Sequence, residues 1–333
     1  MKKILTAFLS LVLIVMPLSG CSSIRNGIVY TVYPIGYLIS RLAGNSVPAV
    51  SLQQEHMIVQ KAQIIEDYED VLSDHAVFFH IGSLEPYLTV YGDDVRESGI
   101  YNIDLSSLNA VYHFQRYTQV ITDGDVTFIE SPYYKGNEFL TIDSDALDLY
   151  LWNDPIAMLS MAKSIHSWLC RTYPEDTDRF NENLKKLETD LINLDAQYQA
   201  LSTSLISGHQ EIRFVSMSAS FGNWQKTYGF QVYPVMLSKF GVLPDAAQLE
   251  AIKSRILQDG VRYIVYEPNM TPDMVDLFNR LQEELSLTRV ELNNLSSLTA
   301  ADEASGRDYL SLMYENLSVL ETMKTGISAS PNE

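Results

Sequence analysis

Apolar residues along this chain follow two rhythms, and their alternation predicts the architecture. Runs from Ile28 to Tyr33, Val47 to Leu52 and Ala76 to Ile81 read as strands, the last apolar almost throughout, as in a parallel sheet buried on both faces. The stretch from Pro34 to about Gly44 between the first two has helical character, which makes the unit α/β. A second set repeats the alternation: strands at Ile212 to Ser216, Tyr263 to Tyr266 and Thr288 to Leu292, with helices at Phe221 to Tyr228, Pro244 to Gln258, from Thr271-Pro272-Asp273 onward, and Asp308 to Lys324.

The rhythm changes between the two sets. Tyr117 to Thr122, then Asp123-Gly124, then Asp125 to Glu130 predicts a hairpin, because Asp-Gly supplies the positive φ angles of a tight primed turn. Pro155 opens a helix, with Asn153 or Asp154 placed to cap it. After Pro174, Phe180, Leu184, Leu187, Leu191, Leu194, Tyr198, Leu201 and Leu205 recur at spacings of four and three up to Gly208. That is one long helix with a single apolar stripe, which either lies along both lobes of its own chain or pairs as a coiled coil. The predicted fold class is therefore α/β: two lobes, each with a mainly parallel sheet, joined by one long helix with a cleft between. The expected boundaries are 28–171 for the N-terminal lobe (hairpin insertion at about 108–134), 172–208 for the connecting helix and 209–325 for the C-terminal lobe, with a tail at 326–333.

The N-terminus changes the picture of where the chain resides. Lys2 and Lys3 precede an apolar run from Ile4 to Met16, too short to span a bilayer with ease, and Leu18-Ser19-Gly20 leads directly to Cys21. Residues 1–20 read as a secretory leader and 21–27 as a tether, with Cys21 the lipidation site; several acyl chains anchor stably where one does so marginally. The expected location is extracytoplasmic, anchored to the bacterial cell membrane by lipid alone. Cys170 is the only other cysteine, so no disulfide is expected, and it reads as a buried packing residue. The formal charge of −19 repels nucleic acid and anionic headgroups.

Short motifs then become recognisable. Val29-Tyr30-Thr31-Val32-Tyr33-Pro34, Gly82-Ser83-Leu84-Glu85-Pro86-Tyr87 and Tyr150-Leu151-Trp152-Asn153-Asp154-Pro155 occur in order. They are followed by Phe221-Gly222 with Tyr228-Gly229, Tyr266-Glu267-Pro268, and Asp308-Tyr309-Leu310-Ser311-Leu312-Met313. In this set and spacing the chain resembles the zinc- and manganese-type solute-binding lipoproteins of bacterial ABC transporters over nearly all the mature length. The resemblance implies a non-enzymatic role in metal-ion uptake, an ABC permease as partner, a small ligand in the inter-lobe cleft, and zinc or manganese as transported ligand rather than resident cofactor. A monomer is expected.

The resemblance also implies where ligands should stand: a His, a second His, a His or Glu, and a carboxylate. In this chain those positions hold Gln60, Tyr150, Ser218 and Asn293. Zinc and manganese are held by imidazole, thiolate or carboxylate, so an amide, a phenol, a hydroxyl and a second amide are poor substitutes. They suit instead an uncharged or zwitterionic organic molecule. The site is thus expected to be degenerate for metal. The alternatives are a binder of a small neutral organic solute in the same cleft, or a ligandless surface lipoprotein acting through protein contacts.

Three residues could substitute as ligands: His56 in the loop of Gln60, His80 at the end of a buried strand, and Glu267 after another. Each also has a plain structural reading, as a solvated loop histidine, a satisfied core histidine and a structural carboxylate. His75, His113, His166 and His209 lack any i, i+4 His-pair spacing. The acidic stretch from Asp143 to Asp148 lacks the glycine and terminal glutamate of a calcium loop. Tyr30, Tyr33, Tyr87, Tyr150, Trp152 and Trp224 fall near the predicted cleft, as packing or as walls of an aromatic pocket. There is no nucleophile elbow and no phosphate-cradling glycine loop, so the chain is not expected to be an enzyme.

Overall fold

The computed structural model describes residues 25–108, 114–115, 119–123, 126–130, 133–134, 136–139, 142 and 147–326. The leader, Cys21, His113, the Asp123-Gly124 turn glycine and the acidic residues 143–146 lie outside the described residues.

Two four-stranded parallel sheets form the lobes. In the N-terminal lobe the order is Ala49–Ser51, Ile28–Tyr30, Val77–His80, Tyr101–Asp104. In the C-terminal lobe it is Gln231–Met236, Arg213–Ser218, Tyr263–Tyr266, Thr288–Glu291. Both sheets start at an inner strand, cross to one side and then to the other. That reversal places a crevice at the carboxyl ends of the two inner strands, where ligands of open α/β sheets bind.

Local signals explain the element ends. Pro34 sits at the first turn of the helix Tyr33–Ala43, which stops at Gly44 with φ +59°. The strand before it is shorter than the apolar run suggests, because this helix claims Tyr33. Asp154 caps the helix Pro155–Thr172, accepting from the N–H groups of Ile156 and Ala157 at 2.8 and 3.2 Å. Strands Gln119–Asp123 and Val126–Glu130 pair antiparallel with Asp123 opposite Val126, so the hairpin closes one residue later than the Asp-Gly signal implied.

The long helix runs Thr177–Gly208. Its buried face is Phe180, Leu187, Leu191, Leu194, Tyr198, Leu201 and Leu205, with Leu184 partly buried. This stripe packs against Pro155–Thr172, Tyr33–Ala43 and Tyr309–Thr322, so elements of both lobes consume it and no coiled-coil partner is needed. The main core is continuous from Ile28 to Met323. Among the described residues no helix is long and apolar enough to cross a membrane.

The strand Gln231–Met236 carries Pro234, tolerable because this is an edge strand. The N-lobe insertion covers that edge. Tyr134 donates its hydroxyl to the Pro234 carbonyl at 2.8 Å and stacks on Phe139, while Gln248 donates to the Glu138 carbonyl at 2.9 Å.

Candidate functional site

The four predicted positions stand on segments that meet where the lobes face each other, and all four are buried. Gln60 lies in the single turn Val59–Lys61, and Tyr150 immediately precedes the turn Leu151–Asn153. Gln60 Nε2 donates to the Tyr150 phenol oxygen. Two amide–phenol partners thus occupy each other where the resemblance calls for two imidazoles.

The other two positions build on the C-lobe crevice. Ser218 ends one inner strand and Glu267 follows the neighbouring one, so the strand register itself brings them together. Glu267 accepts from Ser218 N–H at 2.7 Å, from the Ser218 hydroxyl and from Asn294 Nδ2 at 2.8 Å. The Ser218 hydroxyl also contacts that of Ser220. Burial pushes the Glu267 carboxyl above its ordinary value, and the hydrogen bonds from Asn294 and Ser218 oppose that shift. Asn293 turns back into its own lobe: its Oδ1 accepts from Leu295 N–H at 2.7 Å, and its backbone exchanges hydrogen bonds with the Asn316 amide, both at 2.8 Å.

Asn153 and Asn223, which sequence reasoning did not single out as functional, stitch the lobes across this point together with Trp152 and Trp224, which it placed near the cleft. Asn223 Nδ2 donates to the Tyr150 carbonyl at 3.1 Å and Asn153 Nδ2 to the Ser220 carbonyl at 2.6 Å. Trp152 Nε1 donates to the Asn294 carbonyl at 2.8 Å, and the Trp152 carbonyl accepts from the Tyr309 hydroxyl at 2.6 Å. Trp224 Nε1 donates to the Asn153 carbonyl at 2.9 Å. The Trp-Asn-Asp-Pro motif carried this information, since buried Trp and Asn must find polar partners. Trp152 and Trp224 are therefore packing anchors rather than walls of an open pocket, and Tyr87 and Tyr150 are likewise buried.

The candidate substitutes do not converge. His80 stacks on Phe78 with ring centroids 5.3 Å apart, and its Nδ1 lies 3.1 Å from the Gly82 carbonyl. His56 has φ +57° and stands at the cleft edge, lining a cavity of about 90 Å³ with Tyr30 and Tyr33. Its Nδ1 meets the Leu298 carbonyl at 2.9 Å, and its Nε2 is 3.8 Å from both Glu55 and Glu303. Glu267 is engaged in the Ser218–Asn294 network. Among the described residues no group of three or more His, Cys, Asp or Glu side chains could hold a metal ion. Cys170 is free and partly buried, packed beside His166 with Sγ 3.4 Å from Nε2.

Known proteins of similar sequence and fold place the chain. The zinc-binding lipoprotein AdcA of Streptococcus pneumoniae is 26% identical over 174 residues, 52% of this chain and 33% of AdcA. The high-affinity zinc uptake protein ZnuA of Bacillus subtilis is 24% identical over 178 residues, 54% of each chain. The chain thus spans a third to a half of the length of these curated relatives. Among solved structures, the periplasmic zinc-binding protein TroA of Treponema pallidum superposes with a TM-score of 0.69 at 16% identity, covering 90% of this chain and 99% of TroA. The ZnuA-like domain of S. pneumoniae AdcA gives 0.62 at 20% identity, covering 90% and 98%. The family described as zinc-uptake complex component A, periplasmic, matches residues 28–323, and its members are solute-binding components rather than enzymes. On that match the chain belongs to the zinc-uptake complex component A family.

Proposed function

We infer that this protein is the extracytoplasmic, lipid-anchored solute-binding component of an ABC importer of the zinc-uptake type, with a cleft that no longer captures zinc or manganese in the family's manner. The names of its relatives support the first half: they are zinc-binding lipoproteins and zinc-uptake proteins. The Gln60–Tyr150 and Ser218–Glu267–Asn294 contacts carry the second half. A divalent cation leaving water needs imidazole, thiolate or carboxylate ligands that face it together. Here the Glu267 carboxylate accepts from Ser218 and Asn294, and the four positions offer neutral groups turned toward protein partners. Lipidation at Cys21 and docking on a membrane permease complete the proposal.

Zinc and manganese titration calorimetry on the mature chain, with elemental analysis of the purified protein, tests it. No stoichiometric metal and no heat of binding are expected. One-to-one binding in the nanomolar range would overturn the reading and send the search for ligands to His56, His80 and Glu267.

A further inference from the structure

A cavity of about 300 Å³ lies where the N-lobe insertion meets the C-lobe, and none of the four family positions is among its lining residues. Phe139 and Ile142 form its wall on the insertion side. Val235 and Leu237, at the end of the edge strand, and Leu243 and Ile252 form the facing wall. A void of this size and lining is large enough for a small organic molecule. At its rim Phe240 and Val242 stay 36% and 63% exposed, an apolar mouth open to solvent.

The polar groups present define what would fit. The helix Ala246–Gln258 begins here, but Asp245 and Gln248 close a full capping box on its first turn, so its N-terminus offers no anion site. Among the described residues no lysine or arginine lines the cavity, and the carboxylate that does, Asp245, is turned to the Gln248 N–H at 2.9 Å. An anion would meet that carboxylate uncompensated, and a cation would lose its hydration for a group already engaged. Among the described lining residues Ser238 is the remaining polar side chain. Its Oγ accepts from Phe240 N–H at 3.2 Å, and its own hydroxyl proton is given to no described residue.

We propose that this inter-lobe cavity is a binding site for a small, neutral, mainly apolar organic molecule carrying one hydroxyl or carbonyl that pairs with Ser238. Both walls contact the occupant, so filling the cavity would hold the insertion onto the C-lobe beside the Gln248–Glu138 tie. The proposal rests on the solute-binding reading only for the occupant's role as cargo.

The test is a methyl NMR titration of the mature chain (residues 21–333 carrying Cys21→Ser) with p-cresol, and with p-toluate as anionic counterpart. Saturable one-site shifts at the Ile142, Leu243 and Ile252 methyls are expected with p-cresol and not with p-toluate. Leu243→Trp, at a partly buried rim position that tolerates a larger ring, should weaken p-cresol by about tenfold or more, the equivalent of one lost favourable contact set. Ser238→Ala should weaken p-cresol and leave toluene unchanged. Absence of saturable shifts, equal binding of p-toluate, or indifference to both substitutions would overturn the proposal. Tight zinc binding would overturn the reading of the cleft and leave this result untouched, so the two failures are distinguishable.

Discussion

At the residue scale, Glu267 is the most informative side chain in the cleft. It is fully buried and accepts hydrogen bonds from Ser218 and Asn294, and burial raises its pKa. The folded state therefore keeps its proton to higher pH than the unfolded chain does. Its contribution to stability is fully present below the ordinary carboxylate range and is lost as pH rises through the raised folded value. Glu267→Gln removes that titration. The difference in unfolding free energy, wild type minus variant, should be greatest below the ordinary carboxylate range and shrink as pH rises above it, read from urea denaturation at each pH. A difference that grows with pH would show a carboxylate stabilised as the anion.

The Gln60–Tyr150 pair makes a second test at the same scale. Tyr150→Phe leaves the Gln60 amide buried without its acceptor, a loss of about 1–3 kcal/mol measurable by the same denaturation experiment. Changing both to Leu and Phe removes donor and acceptor together and should cost less than Tyr150→Phe alone. That ordering is what a structural pair predicts, and it would fail if Gln60 had other strong partners.

At the scale of elements, the long helix and the caps follow directly from residue type and spacing. Leu191 is wholly buried on the helix stripe, so Leu191→Ala should destabilise by about 2–5 kcal/mol in thermal or urea unfolding. The stripe was legible because a single face repeats over many turns, and the inner strands because Phe78, Phe79, Ile264 and Val265 are apolar on both sides. The strand Gln231–Met236 was not, since Pro234 argues against a central strand and only the sheet order shows that it lies at an edge. The strand Tyr101–Asp104, an edge of the other sheet, and the short helices Tyr68–Asp74 and Leu88–Glu97 were missed as well, because each buries too few residues to set a rhythm. Counting from neighbouring motifs pointed to Gln60, Tyr150, Ser218 and Asn293, all of which are buried. What those residues bond to was invisible, because Asn153, Asn223 and Asn294 act through single contacts distant in sequence and leave no periodic trace.

At the scale of the whole molecule, the fold is that of the zinc-uptake family, and on the proposed reading the groups at the four family positions are neutral. If only metal ligands are missing there, restoring them should restore capture. The variant Gln60→His, Tyr150→His, Ser218→His, Asn293→Asp is expected to gain thermal stability with added zinc, while the wild type melts at the same temperature with or without it. Mass action sets the scale, about 2.7 kcal/mol at a hundredfold excess over Kd. An unresponsive variant would mean that the lobes have also closed into a geometry zinc cannot enter, with the Trp152 and Asn153 latches the first contacts to release.

The helix Thr177–Gly208 has one more consequence. Its buried stripe belongs to a core that runs from Ile28 to Met323 through both lobes, and only a smaller cluster around Val29, Leu52, Leu72 and Phe78 belongs to the N-terminal lobe alone. Two lobes of this size would ordinarily melt as two units. Here removing either strips apolar cover from the same helix, so the loss of one should bring down the other. Scanning calorimetry should show a single transition, with the van't Hoff enthalpy matching the calorimetric enthalpy for the entire chain.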